Sequence, residues 1–304
     1  MKAVFLDASP TLASVTDRLR QDSDMPISVN PNPDITPPEI PKVVGDADVV
    51  WIDHTALPTD IAKQCPNLKH VIFLGTGARS YMSPEELAGI GIEVHIIKGY
   101  GDTAVAECAF GLMWAAAKGF AGMDRGMRAG GWPRTDGLQL SGKTLGLVGF
   151  GGIGAEMARL GLGAGMRVIA WNRSPKSHPG VEFMSIEEVL AQSHVVSMHL
   201  LLNDETRGFL SKDRIAGMRD GAILINTARG AVIDEEAMID ALKAGKLGHA
   251  ALDVYDVEPL PPSHALTKLE NVTLSAHSAF RTPEASDNLI ESALNHGRRI
   301  ASES

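Results

Sequence analysis

The sequence predicts an α/β protein built on parallel β-sheets, and two observations support this prediction. Short apolar runs, which are typical of buried strands, alternate with helical patterns along most of the 304 residues. In the middle of the chain, the apolar run 143–148 turns on glycines and continues into a helical pattern. Because parallel strands need a crossover connection, this alternation of strands and helices favours parallel sheets.

The composition is that of an ordinary globular protein, with 44% hydrophobic and 21% charged residues. The formal net charge of −9 disfavours nucleic acid as a partner. Cys65 and Cys108 form no Cys-x-x-Cys pair, which argues for a reducing compartment and against a disulfide framework or a metal site. The N-terminus lacks a signal-peptide pattern, and the apolar segment 104–123 contains charges, so we expect a cytoplasmic protein without membrane association.

The N-terminal third is predicted to form one small sheet. Five apolar runs are predicted as its strands: 3–6, 27–29, 49–52, 71–74 and 94–97. Helices are expected at 56–64 and at 84–88, where Ser83 and Pro84 form a helix start. The segment from Asn30 to Pro41 contains five prolines and is predicted as an extended surface loop.

The rest of the chain is predicted to form a second, larger sheet. A long helix rich in small residues is expected at 103–118, a loop from Arg125 to Gln139, and a final helix at 283–300. Six strands are predicted between them, at 143–148, 167–171, 194–199, 222–225, 249–252 and 272–274. Six strands with intervening helices make a complete dinucleotide-binding sheet.

The glycine-rich turn has the spacing of a dinucleotide cradle. Gly149, Gly151 and Gly154 follow the pattern G-x-G-x-x-G, and Gly152 and Ile153 lie between them. The first glycine permits a sharp turn, the second lets a pyrophosphate approach the backbone, and the third allows close packing of helix and strand. We therefore expect these five residues to bind a dinucleotide.

The end of the next strand indicates which dinucleotide is bound. A fold specific for NAD usually places Asp or Glu there, whereas this chain has Asn172, Arg173 and Ser174, with Lys176 close behind. No carboxylate at this position would repel a 2′-phosphate, and the cations and the hydroxyl could bind one. We predict a preference for NADP, with NAD use possible; the alternative is a solvated turn with incidental charge.

Three side chains after later strands form a possible catalytic set. Arg229 follows the strand at 222–225, Glu258 the strand at 249–252, and His277 the strand at 272–274. Arginine suits a carboxylate, histidine is a natural proton donor near neutral pH, and a nearby carboxylate orients the imidazole and favours its protonated form. Reduction of a 2-keto acid by hydride needs this combination. The other histidines His70, His95, His178 and His249 are interpreted as structural or exposed.

These motifs together resemble the D-isomer-specific 2-hydroxyacid dehydrogenases. The similarity covers essentially the whole chain, and its strongest segments are 149–154, 226–234, 252–259 and 277–282, with further matches at 103–107 and 205–206. The resemblance implies two doubly wound parallel-sheet domains, in which a Rossmann cofactor domain is inserted into a smaller flavodoxin-like substrate domain. The expected boundaries are 1–99 plus 281–304 for the substrate domain and 100–280 for the cofactor domain. A homodimer formed mainly through the cofactor domains is implied as well.

The resemblance also implies roles for individual residues. Arg229 matches the arginine that binds the anion and polarises the carbonyl, Glu258 the modulating acid, and His277 the acid/base. The loop of Gly75, Thr76 and Gly77 resembles the loop that binds the substrate carboxylate, with a plain glycine-rich turn as the alternative. Residues expected to line the cofactor are Thr103, Leu200, Thr206, Thr227, Ala228 and Asp253, the last facing the nicotinamide carboxamide.

Some positions depart from the family pattern. Leu201 replaces a common proline, and Arg79 replaces a common acid after the loop 75–77. Arg79 and Arg281 could bind a second anionic group of the substrate, although solvated surface charge is the simpler interpretation. His54 could line the pocket, and Trp132 resembles a tryptophan that in some relatives reaches the partner's site.

The resulting expectation is an NADP-preferring reductase of a small 2-keto acid, with glyoxylate or hydroxypyruvate favoured and His277 as acid/base. Three alternatives remain open at this point. They are a dinucleotide-sensing protein without turnover, similar to the corepressors that share this fold, an NAD-dependent dehydrogenase of another 2-hydroxy acid, and a relative that oxidises formate or phosphite. Glu258 argues against a formate enzyme, because such enzymes usually have Gln with His.

Overall fold

A computed structural model describes residues 1–303, and it divides the chain into two compact units. The smaller unit comprises residues 1–101 and the C-terminal segment from Arg281, and the larger unit comprises residues 102–280. Each unit contains one sheet in which every strand pair of the ladder is parallel, so the predicted class of two parallel-sheet α/β domains is confirmed. In the described residues 1–303, no helix is both long and apolar enough to cross a bilayer.

The N-terminal part of the smaller unit contains five strands and four helices. In chain order they are β1 (Ala3–Phe5), α1 (Pro10–Leu19), β2 (Ile27–Val29), α2 (Ile40–Val44), β3 (Val49–Ile52), α3 (Thr59–Ala62), β4 (His70–Phe73), α4 (Pro84–Ala88) and β5 (Glu93–Ile96). The strand order is β2-β1-β3-β4-β5, the flavodoxin-like order. All five predicted strands are present.

The larger unit contains seven strands. In chain order its elements are α5 (Asp102–Lys118), α6 (Phe120–Arg128), β6 (Thr144–Val148), α7 (Gly152–Gly163), β7 (Arg167–Trp171), β8 (Val181–Phe183), α8 (Ile186–Gln192), β9 (Val195–Met198), α9 (Lys212–Gly217), β10 (Ala222–Asn226), α10 (Glu235–Lys243), β11 (Leu247–Leu252) and β12 (Val272–Leu274). The order β12-β11-β10-β9-β6-β7-β8 is that of a dinucleotide-binding sheet with one further strand. The last helix, α11 (Pro283–Ser302), belongs to the smaller unit.

Both sheets are buried on two faces, which explains why their strands read as continuous apolar runs. In β3, Val49 and Trp51 pack in one apolar cluster with α1 and α11, whereas Val50 and Ile52 pack in a second cluster with α2 and α3. Successive side chains therefore contribute to opposite faces, and all four are fully buried.

Two predicted loops were wrong in part. The proline-rich segment ends in a 3₁₀ turn, Pro37–Glu39, and in helix α2, because Thr36 and Glu39 form a capping box and Ile40 and Val44 are buried one turn apart. The segment predicted as a loop from Arg125 begins inside α6, where Asp124 and Arg128 form an ion pair at i,i+4 spacing. The glycines of that stretch concealed the helix.

Three further differences concern short or marginal elements. Helix α1 was not predicted, although Ser9 caps it and Pro10 occupies its first turn. Strand β8 is a three-residue edge strand, and its half-exposed residues lack the apolar pattern of a buried strand. The helix expected at 56–64 is confined to α3, because Pro58 fixes its start.

Candidate active site

The glycine-rich turn connects β6 to α7 at the carboxyl edge of the larger sheet. Gly149 has a φ of +98°, and a Cβ there would lie 2.5 Å from the carbonyl oxygen of His199. An L side chain is therefore excluded by both the backbone conformation and the adjacent end of β9. The turn brings the N-terminus of α7, which begins at Gly152, to the sheet edge.

The space in front of α7 fits a dinucleotide. A Cβ at Gly151 would meet no atom within 4 Å, and no side chain caps the first N–H groups of the helix. The hydroxyl of Thr227 is buried without a hydrogen-bond partner among residues 1–303. An open helix N-terminus suits a pyrophosphate, and an unpaired buried hydroxyl suits a polar ligand group.

Glycine is required at position 152 because a side chain of the protein itself occupies the adjacent space. A Cβ at this position would lie 1.7 Å from a carboxylate oxygen of Asp102, the first residue of α5. Burial, with a smaller contribution from Glu156, raises the pKa of Asp102 above its ordinary value. The sequence pattern assigned Gly152 to the cofactor and gave no sign of this contact.

In the loop after β7, Asn172 and Arg173 both contact other groups of the protein. Asn172 Oδ1 accepts a hydrogen bond from Phe150 N–H at 3.0 Å, and Asn172 Nδ2 donates to the Ser174 carbonyl at 2.8 Å. Asn172 therefore supports the glycine-rich turn. Arg173 forms an exposed ion pair with Glu205 at 2.6 Å. A carboxylate is thus present beside the cationic turn, which the local sequence around Asn172 did not reveal.

The remaining residues expected to line the cofactor lie around the same sheet edge of the larger unit. Thr206 Oγ1 donates to the Leu201 carbonyl at 2.6 Å and accepts from Asn203 N–H at 2.8 Å, so it organises the loop after β9. Ala228 N–H donates to Asn226 Oδ1 at 3.0 Å. Ile153 and Leu200 are half-buried, while Thr103 and Ser174 are exposed.

Asp253 holds the loop that carries His277. Its carboxylate is fully buried and accepts hydrogen bonds from the N–H groups of Ser278 and Ala279, at 3.0 and 2.9 Å. The Asp253 carbonyl accepts the N–H of His277 at 2.8 Å. His277 has a φ of +48°, an uncommon value for a non-glycine residue, and these bonds hold the backbone there.

Glu258 and His277 are in direct contact. Glu258 Oε2 lies 2.6 Å from His277 Nδ1, and Glu258 Oε1 accepts the Tyr255 N–H at 2.9 Å. The buried hydroxyl of Tyr255 in turn donates to the Ser275 carbonyl at 2.6 Å, and burial raises its pKa to about 12. Because an ionised carboxylate can only accept, Nδ1 carries the hydrogen, and Nε2 is left for an external ligand.

Arg229 lies in a loop that packs closely on the Glu258 loop. A Cβ at Gly230 would lie 2.0 Å from the carbonyl carbon of Tyr255, so only glycine allows the two backbones to meet. The half-buried Arg229 donates to the Ala228 carbonyl at 2.7 Å and has no contact with a carboxylate among the described residues. The structure therefore pairs Glu258 with His277, and it leaves the Arg229 guanidinium without an ionic partner.

His199 lies at the carboxyl edge of the larger sheet, and the sequence assigned it no role. It follows β9, and its Nε2 is buried without a hydrogen-bond partner in the described chain. Burial lowers its pKa to about 4, so the ring is neutral at physiological pH. Its carbonyl also forms the contact that requires Gly149. No local pattern distinguishes such a histidine from an exposed one.

The substrate loop expected from the sequence lies in the smaller unit, after β4. The N–H groups of Thr76 and Gly77 donate to no backbone or side-chain acceptor among residues 1–303, whereas the carbonyl of Gly75 accepts the N–H of Ile97 at 3.1 Å. Unpaired N–H groups in a glycine-rich turn suit a carboxylate ligand.

The other basic residues of interest differ in their partners. His54 lies 3.3 Å from Asp53 and 3.7 Å from the buried Asp7, and the hydrogen bond with Asp53 raises its pKa. Arg79 forms a bidentate pair with Glu85, consistent with surface charge. Arg281 is exposed and has no ion pair among the described residues. Trp132 and Leu201 are 73% and 60% exposed.

Comparisons with known proteins place this arrangement in a family. The family model for "D-isomer specific 2-hydroxyacid dehydrogenase, NAD binding domain" matches residues 110–279. A hydroxypyruvate reductase of Thermotoga maritima is 36% identical over 253 residues, which cover 81% of this chain and 82% of that protein. A glyoxylate reductase of Aeropyrum pernix is 38% identical over 238 residues, which cover 74% and 71%.

Solved structures agree with the sequence relatives. The TT0316 protein of Thermus thermophilus superposes with a TM-score of 0.88 at 31% identity, covering 100% of this chain and 97% of that one. A glyoxylate reductase from Paecilomyes thermophila gives a TM-score of 0.86 at 28% identity, with 98% and 94% covered. With a matched NAD-binding domain and relatives of this similarity along most of its length, the chain belongs to the D-isomer-specific 2-hydroxyacid dehydrogenases, a family of oxidoreductases.

Proposed function

We propose that this chain reduces glyoxylate or hydroxypyruvate to the corresponding 2-hydroxy acid, with NADPH preferred over NADH. The observation that carries the proposal is the Glu258–His277 pair, which engages Nδ1 of the imidazole and leaves Nε2 for the substrate. The substrate class is supported by relatives named hydroxypyruvate reductase and glyoxylate reductase. The proposed location is the cytoplasm.

In the proposed reaction, the reduced nicotinamide supplies a hydride to the keto carbon. His277 donates the proton from Nε2 to the keto oxygen, so that the carbonyl becomes a hydroxyl and one imidazolium becomes neutral. Glu258 orients the ring through Nδ1 and compensates its positive charge. The guanidinium of Arg229 binds the substrate carboxylate and polarises the carbonyl. The N–H groups of Thr76 and Gly77 are proposed as further carboxylate donors.

The proposed NADP preference rests on Arg173, Ser174 and Lys176. They lie after β7 without an acidic residue at the strand end, and Arg173 is 74% exposed. Its ion pair with Glu205 is exposed, and such pairs are weak enough for a phosphate to displace the carboxylate. Asp253 is proposed to face the nicotinamide carboxamide in addition to holding the loop of His277.

A homodimer through the larger unit is proposed as the assembled form. Large apolar side chains are exposed on α6 and in the loop after it, with Phe120 at 55%, Met127 at 47% and Trp132 at 73%. Exposed apolar groups of this kind mark interfaces between proteins. Light scattering coupled to size-exclusion chromatography should give a particle mass of twice the chain mass. In the double variant Phe120→Ser and Met127→Ser, the measured particle mass should fall toward that of one chain.

The test of the proposed function is a steady-state assay of glyoxylate, hydroxypyruvate, pyruvate and phenylpyruvate with both dinucleotides. We expect the highest kcat/KM for glyoxylate or hydroxypyruvate with NADPH. A higher kcat/KM with NADH would refute the cofactor preference while leaving the reaction in place. Binding of NADPH without turnover of any of the four acids would refute the reaction itself.

A further inference from the structure

A cluster of metal-binding side chains lies in the smaller unit at the opposite end of the sheet from the substrate loop. His70 begins β4, and Glu93 and His95 lie on β5, where His70 is in register with Glu93 and Ile72 with His95. The strands start here, whereas His54 and the loop 75–77 follow the carboxyl ends of β3 and β4. Because residues two apart share a face, the three side chains project to the same side of the sheet.

The three ligand atoms are close enough to share one ion. His70 Nδ1 lies 3.2 Å from His95 Nε2, and each of these atoms lies 3.8 Å from Glu93 Oε2. The nearest point equidistant from the three atoms lies about 2.1 Å from each, and a tetrahedral ion just out of their plane would lie about 2.2 Å from each, close to the length of a zinc–nitrogen or zinc–carboxylate bond. The separations are those of three ligands around one ion, although a hydrogen bond between the two imidazoles would also bring their nitrogens to 3.2 Å.

We propose that His70, Glu93 and His95 form a binding site for a zinc-class divalent transition metal. Two imidazoles and one carboxylate suit zinc and its neighbours, whereas magnesium and calcium prefer oxygen ligands alone. The absence of a Cys-x-x-Cys pair argued against a metal site. His70 precedes Glu93 and His95 by more than twenty residues of chain, so the three side chains meet only in the sheet.

The surroundings leave room for one external ligand. The side chain of His95 is 7% exposed and that of His70 is 20% exposed, while Glu93 is 68% exposed and faces solvent. His296 of α11 packs on His95 with ring centroids 5.8 Å apart. Its Nδ1 lies 3.2 Å from Arg299 Nη2, which can only donate, so that nitrogen is engaged. Three protein ligands with a water in the fourth position complete a tetrahedral site.

A bound ion would link the edge strand β5 to β4. Among residues 1–303, strand β5 pairs with β4 alone, so its other edge contributes no ladder bonds to hold it. An ion that binds the folded unit and not the unfolded chain stabilises the fold in proportion to the logarithm of its concentration. The site therefore has a structural role at one edge of the sheet, and it is independent of the proposed reaction.

Cobalt(II) titration of the full, untagged chain after treatment with a chelator tests the site. Tetrahedral cobalt gives strong visible absorption, and we expect one equivalent to bind and to be displaced by one equivalent of zinc. The variant Glu93→Gln changes an exposed side chain and should keep the fold, yet we expect it to weaken cobalt binding about tenfold or more. The double variant His70→Asn and His95→Asn should abolish the tetrahedral spectrum.

A matched control is His264→Asn, because His264 also pairs with a glutamate, Glu235, at 3.1 Å, and has no second histidine beside it. We expect its cobalt affinity to equal that of the wild type. Zinc should also raise the thermal midpoint of the wild type and slow amide exchange in β5, with smaller effects in Glu93→Gln at the same zinc concentration. Absence of a saturable tetrahedral spectrum, or a spectrum of the same affinity in Glu93→Gln and in the double variant, would overturn the proposal.

Discussion

Two contacts between a carboxylate and a basic side chain have the same length in the larger unit. Glu258 lies 2.6 Å from His277, and Glu205 lies 2.6 Å from Arg173. The first pair is about one-third exposed, and the second carboxylate oxygen of Glu258, Oε1, accepts the N–H of Tyr255. The second pair is more than 70% exposed, and its carboxylate has no other donor among the described residues. Because the two distances are equal, the strengths of the two pairs differ through burial and through the additional hydrogen bond to the Glu258 carboxylate.

Removal of His277 should produce the largest effect. In His277→Ala, the proton donor of the proposed reaction is lost, and we expect kcat/KM for glyoxylate to fall by about 10³-fold, as is usual for a general acid. Steady-state kinetics with NADPH measure this. His264→Ala is the matched control, since His264 also contacts a carboxylate, that of Glu235 at 3.1 Å, and it should change kcat/KM by less than about tenfold. A rate within tenfold of the wild type in His277→Ala would contradict the proposed mechanism.

Neutralising Glu258 should have the next largest effect on rate. Glu258→Gln preserves the shape of the side chain but removes the negative charge beside Nδ1 and weakens the contact that orients the imidazole ring. We expect kcat to fall by about 10- to 100-fold with little change in cofactor affinity. Asp256→Asn changes an exposed carboxylate two residues away and should leave kcat unchanged. Equal effects of the two substitutions would show that the 2.6 Å contact has no special role.

Two buried aspartates test whether anchoring is specific to the proposed catalytic loop. Asp253 accepts two backbone N–H groups from the His277 loop, and Asp7 accepts three from Asp53, His54 and Thr55. Replacing either by Asn leaves buried N–H groups facing an amide nitrogen, and we expect each to lose about 2–3 kcal/mol in the free energy of unfolding. Urea denaturation measures this loss.

The same two variants should differ in rate. Asp253→Asn should lower kcat as well as stability, because the His277 backbone depends on it, whereas Asp7→Asn should leave kcat within about threefold of wild type. If Asp7→Asn lowered kcat as much as Asp253→Asn, anchoring of the His277 loop would not explain the loss.

The difference between the two carboxylate pairs also separates what the sequence could predict from what it could not. Arg229, Glu258 and His277 follow parallel strands, whose carboxyl ends share one edge, so strand order alone brings their loops to one region. Periodicity likewise predicted all five strands of the smaller unit and the fold class. These features depend on local residue patterns, which can be recognised in the sequence itself.

Contacts between segments that are distant along the chain could not be predicted from the sequence. Glu205 meets Arg173 across 32 residues of chain, Asp102 fills the space at Gly152, and His70 meets His95 across two strands. None of these pairs has a local signature, since each depends on register and side-chain rotamers that only the folded sheet defines. Helix α2 and the last turn of α6, from Arg125, were missed for the converse reason, because prolines and glycines outweighed a capping box and an ion pair in the local pattern.

His199 extends the comparison to a basic group without any carboxylate. Because burial lowers its pKa to about 4 from an ordinary 6.5, protonation favours the unfolded chain. Its contribution to stability is therefore complete above pH 6.5 and is lost as the pH falls toward 4. At pH 5 we expect a loss on the order of 2 kcal/mol relative to pH 8. Urea denaturation at the two pH values should show a smaller loss in His199→Gln, and an unchanged loss in that variant would exclude His199 as its source.

Breaking the exposed pair should have the smallest effect and should act only on the cofactor. Glu205→Gln frees Arg173 from a competing carboxylate, so we expect the Kd for NADPH to fall about three- to fivefold, the scale of an exposed ion pair. The Kd for NADH should change by less than about twofold, because that dinucleotide has no 2′-phosphate for the freed guanidinium to bind. Glu182→Gln is the control, since Glu182 also forms a solvent-accessible pair, with Arg167, at the opposite end of β7.

Dinucleotide fluorescence titrations at low and at high salt complete this test. The gain for NADPH in Glu205→Gln should shrink at high ionic strength, because exposed charges are screened within about 10 Å at 0.1 M salt. A wild type that prefers NADH would refute the proposed cofactor preference, but the NADPH gain in Glu205→Gln could still be measured and would still locate the 2′-phosphate beside Arg173. An identical gain for both dinucleotides would show that Glu205 acts on a part of the cofactor other than the 2′-phosphate. It would also show that the absence of an acid after β7 does not decide the preference between NADPH and NADH.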